Sequence, residues 1–176
     1  MLFHALRTRT THCMLAILLS CSLNVMASDE SKFEATQGVN QVLDGLHQAA
    51  SQADLEKYLG SFTDTGVFMG TDDWERWTRP TTLDQYVAER FAGGTGWTYQ
   101  SVERNINFSE EKNIAWFDEI TVSKKWGRFR GTGVLINDNG QWKIAHYAMS
   151  VLVPNEAWEK VAEINIKTFA DRQKNE

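Results

Sequence analysis

Two side chains in the second half of the sequence suit proton chemistry, Asp118 and His146. An imidazole changes charge near neutral pH, and a carboxylate beside it orients the ring and stabilises its protonated form, as general acid/base catalysis requires. They meet only if strands align them. Asp138-Asn139-Gly140-Gln141 is a hairpin signal, because Asn-Gly tolerates the positive φ of a primed two-residue turn. Pairing Asp138 with Gln141, and Lys124 with Gly127 across the preceding turn, predicts that one sheet face carries Trp116, Leu135 and Ile144 in one row. The next row holds Asp118, Gly133 and His146. On this register an otherwise apolar face has an acid and an imidazole on either side of a glycine, with no side chain between them. The opposite face, with Glu119, Thr132 and Tyr147, is the wetter one.

A second concentration of chemistry is GTDDWERWTRP, residues 70–80, with two tryptophans and three carboxylates ahead of a proline. Trp74 and Trp77 each offer a flat apolar surface and one donor, which suits covering an aromatic ligand. Glu75 and Arg79 read instead as anchors of the turn. Tyr58, Phe68 and Trp116 are expected to face one another around a pocket continued by Leu135 and Ile144. The ligand-binding expectation is therefore Tyr58, Phe68, Trp74, Trp77, Trp116, Leu135 and Ile144, with Asp118 and His146 as the acid/base pair. The partner they imply is a small apolar or aromatic molecule.

Other chemistries find no support. The N-terminal run MLAILLSCSL, Met14 to Leu23, follows Arg7 and Arg9 and is too short to span a bilayer. It reads as a secretory signal over residues 1–27, cut after Ala27 to leave a chain exported to the periplasm or beyond. A lipid anchor through Cys21 is the alternative. Cleavage after Ala27 removes both cysteines together with His4 and His12, leaving His47 and His146 on different elements. No cofactor or metal is expected, because neither a cysteine site nor a spaced carboxylate cluster remains. Loss of Arg7 and Arg9 takes the net charge from -5 to -7, which opposes binding to nucleic acid phosphates. No later apolar run reaches membrane-spanning length, so no membrane span is expected.

The elements that must position these residues are legible as periodicities. Val39, Val42, Leu43 and Leu46 recur at helical spacing within a helix from Phe33 to Gln52. A short helix is expected over Ala53–Phe62 and a third over Thr82–Phe91, with Thr81 or Thr82 as its cap. Extended runs follow: WTYQSVERNINF, NIAWFDEITVSKK, RFRGTGVLIND and QWKIAHYAMSVLV. Gly131 and Gly133 lower the resistance of their strand to bending. Pro154 ends the last strand, and residues 156–176 form a C-terminal helix with a charged tail. The expected fold is α+β: three N-terminal helical pieces on a strongly curved antiparallel sheet, cone-shaped, plus a C-terminal helix, the cone domain occupying residues 28–155.

Residues Phe33 to Glu156, with GVFMGTDDWERWTRPTTLDQYV and DNGQWKIAHYAMSVLVPNE as the telling segments, resemble the SnoaL-like branch of the nuclear transport factor 2-like superfamily. The resemblance implies a cone with a pocket open at one end and a homodimer through the sheet. It implies no single reaction, since isomerases, cyclases, dehydratases, ligand binders and assembly modules share the fold. The catalytic set of the isomerases does not carry over: their first-helix tyrosine falls near Leu46 and their basic aspartate near Gly70, and the later acidic donor falls on apolar or glycine positions. Many relatives have a second histidine where this chain has Ala148. The sequence thus leads to an exported small-molecule binder with isomerase-, cyclase- or hydratase-type chemistry, or else to a non-catalytic dimerisation module.

Overall fold

The computed structural model describes the backbone of residues 9–175 and the side chains of residues 30–175. The signal reading, with Cys13 and Cys21, falls outside the described side chains. Helices α1 (Arg9–Gln52), α2 (Leu55–Gly60) and α3 (Thr82–Phe91) lie on one face of a six-stranded sheet, and α4 (Trp158–Gln173) follows it. The strands are β1 (Phe62–Met69), β2 (Arg76–Thr78), β3 (Gln100–Phe108), β4 (Ile114–Ser123), β5 (Gly127–Asp138) and β6 (Gln141–Val151). Their spatial order is β2-β1-β6-β5-β4-β3. All pairings are antiparallel except that of β1 with β6, which is parallel. The α+β class and the curved, unclosed sheet agree with the sequence reading. Strand β2 is not legible in the sequence, because its three residues are too few to show a period.

Local chemistry explains the boundaries. Asp54 caps α2 by accepting from the Lys57 N–H at 3.1 Å. Val39, Leu43, Leu46 and Ala50 of α1 pack on Phe117, Leu135, Ile144 and Tyr147 of the sheet to form the core.

The turns set the registers, and two of them differ from the sequence expectation by one residue. Asn139 and Gly140 take positive φ (51° and 85°), so Asp138 does pair with Gln141. The β4–β5 turn has three residues, however, and Ser123 rather than Lys124 faces Gly127, whose φ of 88° closes the turn. A two-residue turn would have forced positive φ on Lys125 or Trp126, which glycine alone accepts without strain. Further along, a bulge between Val134 and Leu135 sets Val134 opposite His146 but Leu135 opposite Ile144. A slip of one residue moves a side chain to the other face of the sheet. The inner face, toward the helices, consequently carries Ala115, Phe117, Glu119 and Thr121 of β4, and Tyr147 and Met149 of β6. Asp118 shares its outer row with Thr132 and Ala148; His146 shares the neighbouring outer row with Val134 and Trp116.

Candidate functional site

The polar centre of the inner face is Glu119, fully buried at 0 % side-chain exposure. A charge so far from water is tolerated only when paired and hydrogen-bonded. Four donors supply this. Oε1 accepts from His47 Nε2 and from the Tyr147 hydroxyl, both at 2.8 Å. Oε2 accepts from Arg104 Nε at 2.9 Å and Nη2 at 2.8 Å.

Each donor arrives for a local reason. Arg104 lies opposite Glu119 across the β3–β4 pair. Tyr147 reaches over β5 because Gly131 stands between: a Cβ there would strike both the Tyr147 hydroxyl and Glu119 Cγ. His47 comes from α1, where Asn40, Asp44 and His47 follow one another at helical spacing along the edge of the apolar stripe. Arg104 Nη1 ties this edge down, donating to Asn40 Oδ1 at 2.8 Å and pairing with Asp44 at 2.9 Å.

Burial alone pushes the Glu119 carboxyl up. The His47 hydrogen bond and charge, the Arg104 charge and the Tyr147 hydroxyl outweigh it and hold the group at about 2. An ionised carboxylate only accepts, so His47 Nε2 carries a hydrogen. Its Nδ1 meets no hydrogen-bonding partner among the described residues. Burial, with the Glu119 charge and hydrogen bond, holds the Tyr147 hydroxyl well above the usual phenol value, so it stays a neutral donor.

A cavity of about 130 Å³ opens on His47 and the Tyr147 ring. Its walls are aromatic: Tyr58, Phe68, Trp77, Tyr86, Trp97 and Tyr99. Phe68 stacks on Tyr147 (centroids 5.6 Å, 13° between planes), and Trp77 stacks on Tyr86 at 3.9 Å. Gly70, Thr71 and Glu75 form the rim. Here Glu75 Oε2 accepts from the N–H groups of Thr71 (2.7 Å) and Asp72 (3.0 Å), which fixes the β1–β2 loop. Arg79 is also an anchor, bound to Asp84 at 3.0 Å and to the Leu59 carbonyl at 2.7 Å.

Of the residues expected at a ligand site, Tyr58, Phe68 and Trp77 line this cavity. Leu135 and Ile144 are sealed in the core behind it, and Trp74 is 64 % exposed with its edge on Trp77. Trp116 is 48 % exposed on the outer face of the sheet. The expectation that Asp118 and His146 meet over Gly133 on the inner face fails on the registers above. Both stand on the outer face in different rows, and Asp118 takes a hydrogen bond from Asn105 Nδ2 at 3.0 Å. The inner side of Gly133 is occupied by the Phe117 ring.

The residues that do converge, His47, Glu119 and Tyr147, were legible only in part. The i, i+4, i+7 spacing of Asn40, Asp44 and His47 was the available signal. Among the described residues no group of three His, Cys, Asp or Glu side chains is placed to hold a metal ion.

No curated protein matches the sequence. Solved structures do match the fold. A protein of unknown function from Mycobacterium tuberculosis aligns with a TM-score of 0.60 at 17% identity, covering 74% of this chain and 78% of its own. A candidate scytalone dehydratase from Novosphingobium aromaticivorans gives 0.60 at 10% identity, covering 71% and 89%. A protein with a cystatin-like fold from Nostoc punctiforme, also of unknown function, gives 0.56 at 16% identity, covering 68% and 92%. At such identities the likeness concerns the fold alone. The model of the SnoaL-like domain matches residues 39–154, from the first core valine of α1 to the proline that ends the sheet, and the chain belongs to that family, within the nuclear transport factor 2-like superfamily.

Proposed function

We propose that the cavity binds a small, one-ring-sized, mostly apolar or aromatic molecule, and that His47 exchanges a proton with it. The observation that carries this reading is the 2.8 Å bond from His47 Nε2 to the buried carboxylate of Glu119, made by a histidine that lines the cavity. A carboxylate so placed fixes the ring and its tautomer and stabilises the imidazolium that forms when Nδ1 takes a proton, which is how an orienting acid serves a histidine base. Arg104 keeps that carboxylate ionised from the far side. The aromatic walls supply apolar contact area, and a volume of about 130 Å³ is close to that of an engineered cavity of about 150 Å³ that holds benzene. Arg7, Arg9 and the apolar run from Met14 support export of the chain.

Native mass spectrometry of protein purified from whole source cells tests both halves. The expected result is a chain beginning at Ser28 that retains a molecule of one-ring size, with retention lost in His47→Gln. An empty cavity in native and variant protein alike contradicts the binding reading, and an intact signal segment contradicts export.

A second reading, a module that pairs through its sheet, has its own support. Ile114, Trp116 and Ile136 are neighbours on the outer face and are 40–48 % exposed. A dimer by light scattering that becomes a monomer in Trp116→Lys supports it, and a monomeric native protein contradicts it.

A further inference from the structure

We infer that the ligand presents an oxygen acceptor, of the carbonyl or phenolic oxygen class, to the hydroxyl of Tyr58, on a wall of the cavity shared with Tyr86 and Tyr99. This rests on the binding reading above and adds the polarity of what is bound.

Tyr58 carries an unspent donor. Tyr58 is 3 % exposed, held in place by ring contacts with Phe62, Phe91 and Trp97 at 5.5–5.9 Å. A phenol so deeply placed ordinarily finds a partner, because an unpaired buried hydroxyl forfeits the hydrogen bonds it made in water. Tyr58 has none among the described residues, and its oxygen is not shut off within the protein either. The side-chain atom that is sealed and unpartnered is Thr121 Oγ1. Tyr58 lines the cavity and its oxygen is not among the sealed atoms, so the hydroxyl is assigned to the cavity wall.

Tyr86 and Tyr99 line the same cavity, also without hydrogen-bond partners among the described residues. Burial raises the titration of all three phenols above the ordinary range, and Tyr58 feels both of the others while Tyr86 feels Tyr99, which agrees with hydroxyls gathered on one wall. They are neutral donors at any physiological pH. The facing polar groups are different in kind: the Nε2–H of His47 and the O–H of Tyr147 are both committed to Glu119. The cavity therefore offers hydrogen-bond donors at the tyrosine wall and a free ring nitrogen at His47. A ligand that satisfies both carries an acceptor oxygen on one side and a removable proton on the other. Glu75 on the rim acts on Tyr86 and Tyr99 more strongly than the opposing Arg90, so a neutral carbonyl or phenol fits better there than a carboxylate.

The test compares cyclohexanone with methylenecyclohexane, equal in shape and differing in the oxygen, by calorimetric titration of the native protein and of Tyr58→Phe. The variant keeps the ring and its packing and loses only the hydroxyl. The native protein is expected to bind cyclohexanone about tenfold more tightly than the hydrocarbon, the factor of one net hydrogen bond. Tyr58→Phe is expected to erase the preference while leaving affinity for the hydrocarbon unchanged. The carbonyl stretch of bound cyclohexanone should fall in the native protein and return toward its free value in the variant. Equal affinities in the native protein, or a preference that survives in Tyr58→Phe, overturn the acceptor assignment and leave the binding reading standing. Binding of neither molecule overturns the binding reading and this inference with it.

Discussion

Glu119 is ionised where water does not reach, and its two oxygens are shared among an arginine, a tyrosine and a histidine. Removing one member of such a buried set leaves the others uncompensated, which typically costs about 3–5 kcal/mol. Glu119→Gln is expected to lose stability of that order in urea unfolding at pH 7. The pH dependence has a definite sign. The carboxyl titrates at about 2 in the folded protein and at the ordinary 4.5 in the open chain. Its stabilisation is therefore fully present above about pH 4.5 and is lost as pH falls through about 2, a swing on the order of 3 kcal/mol. Glu119→Gln lacks this swing, so the gap between native protein and variant should narrow over that window. A gap that stays constant from pH 7 to pH 2 contradicts the assignment of the buried charge to Glu119.

The β1–β2 hairpin separates two tryptophans that the sequence presents as equals. Trp77 pairs opposite Phe68, points inward and stacks between Phe68 and Tyr86; Trp74, in the loop, is 64 % exposed. Trp77→Ala is expected to cost about 3–5 kcal/mol, as large-to-small changes of buried aromatics do. Trp74→Ala should stay within about 0.5 kcal/mol, the usual range for a surface site. Thermal unfolding of the two variants checks the contrast, and equal losses would contradict the burial assigned to the loop. The same scale explains what was readable in the sequence. Long helices and strands announced themselves by period, and Asn139-Gly140 fixed its turn. The site did not follow, because a turn one residue longer at Lys124–Trp126 and a bulge beside Leu135 each shift side chains by one position. The expected register places Glu119 and Tyr147 on the wetter face, whereas they are the polar heart of the inner one.

The whole molecule is a helix-lined pocket on a curved sheet, and its family membership leaves its chemistry open. What the fold supplies is a place where a helix residue, His47, meets a strand residue, Glu119, seventy-two positions later in the chain. Contacts of such separation leave no local trace in the sequence, so periodicity found both elements without revealing that they share a proton donor and acceptor. The aromatic residues are easier: Tyr58 and Phe68 are legible as inward positions of their own elements and do line the cavity, whereas Trp77 lines it from a strand too short to show a period. In the proposed function His47, oriented by Glu119, turns its other ring nitrogen to a ligand in that cavity. Long-range proton–nitrogen NMR of the His47 ring, recorded on the intact protein with and without saturating phenol, tests it most directly. A hydrogen on Nε2 throughout and a shift of the Nδ1 resonance when phenol is added are expected. A hydrogen on Nδ1 alone, or a His47 spectrum indifferent to phenol, would contradict it.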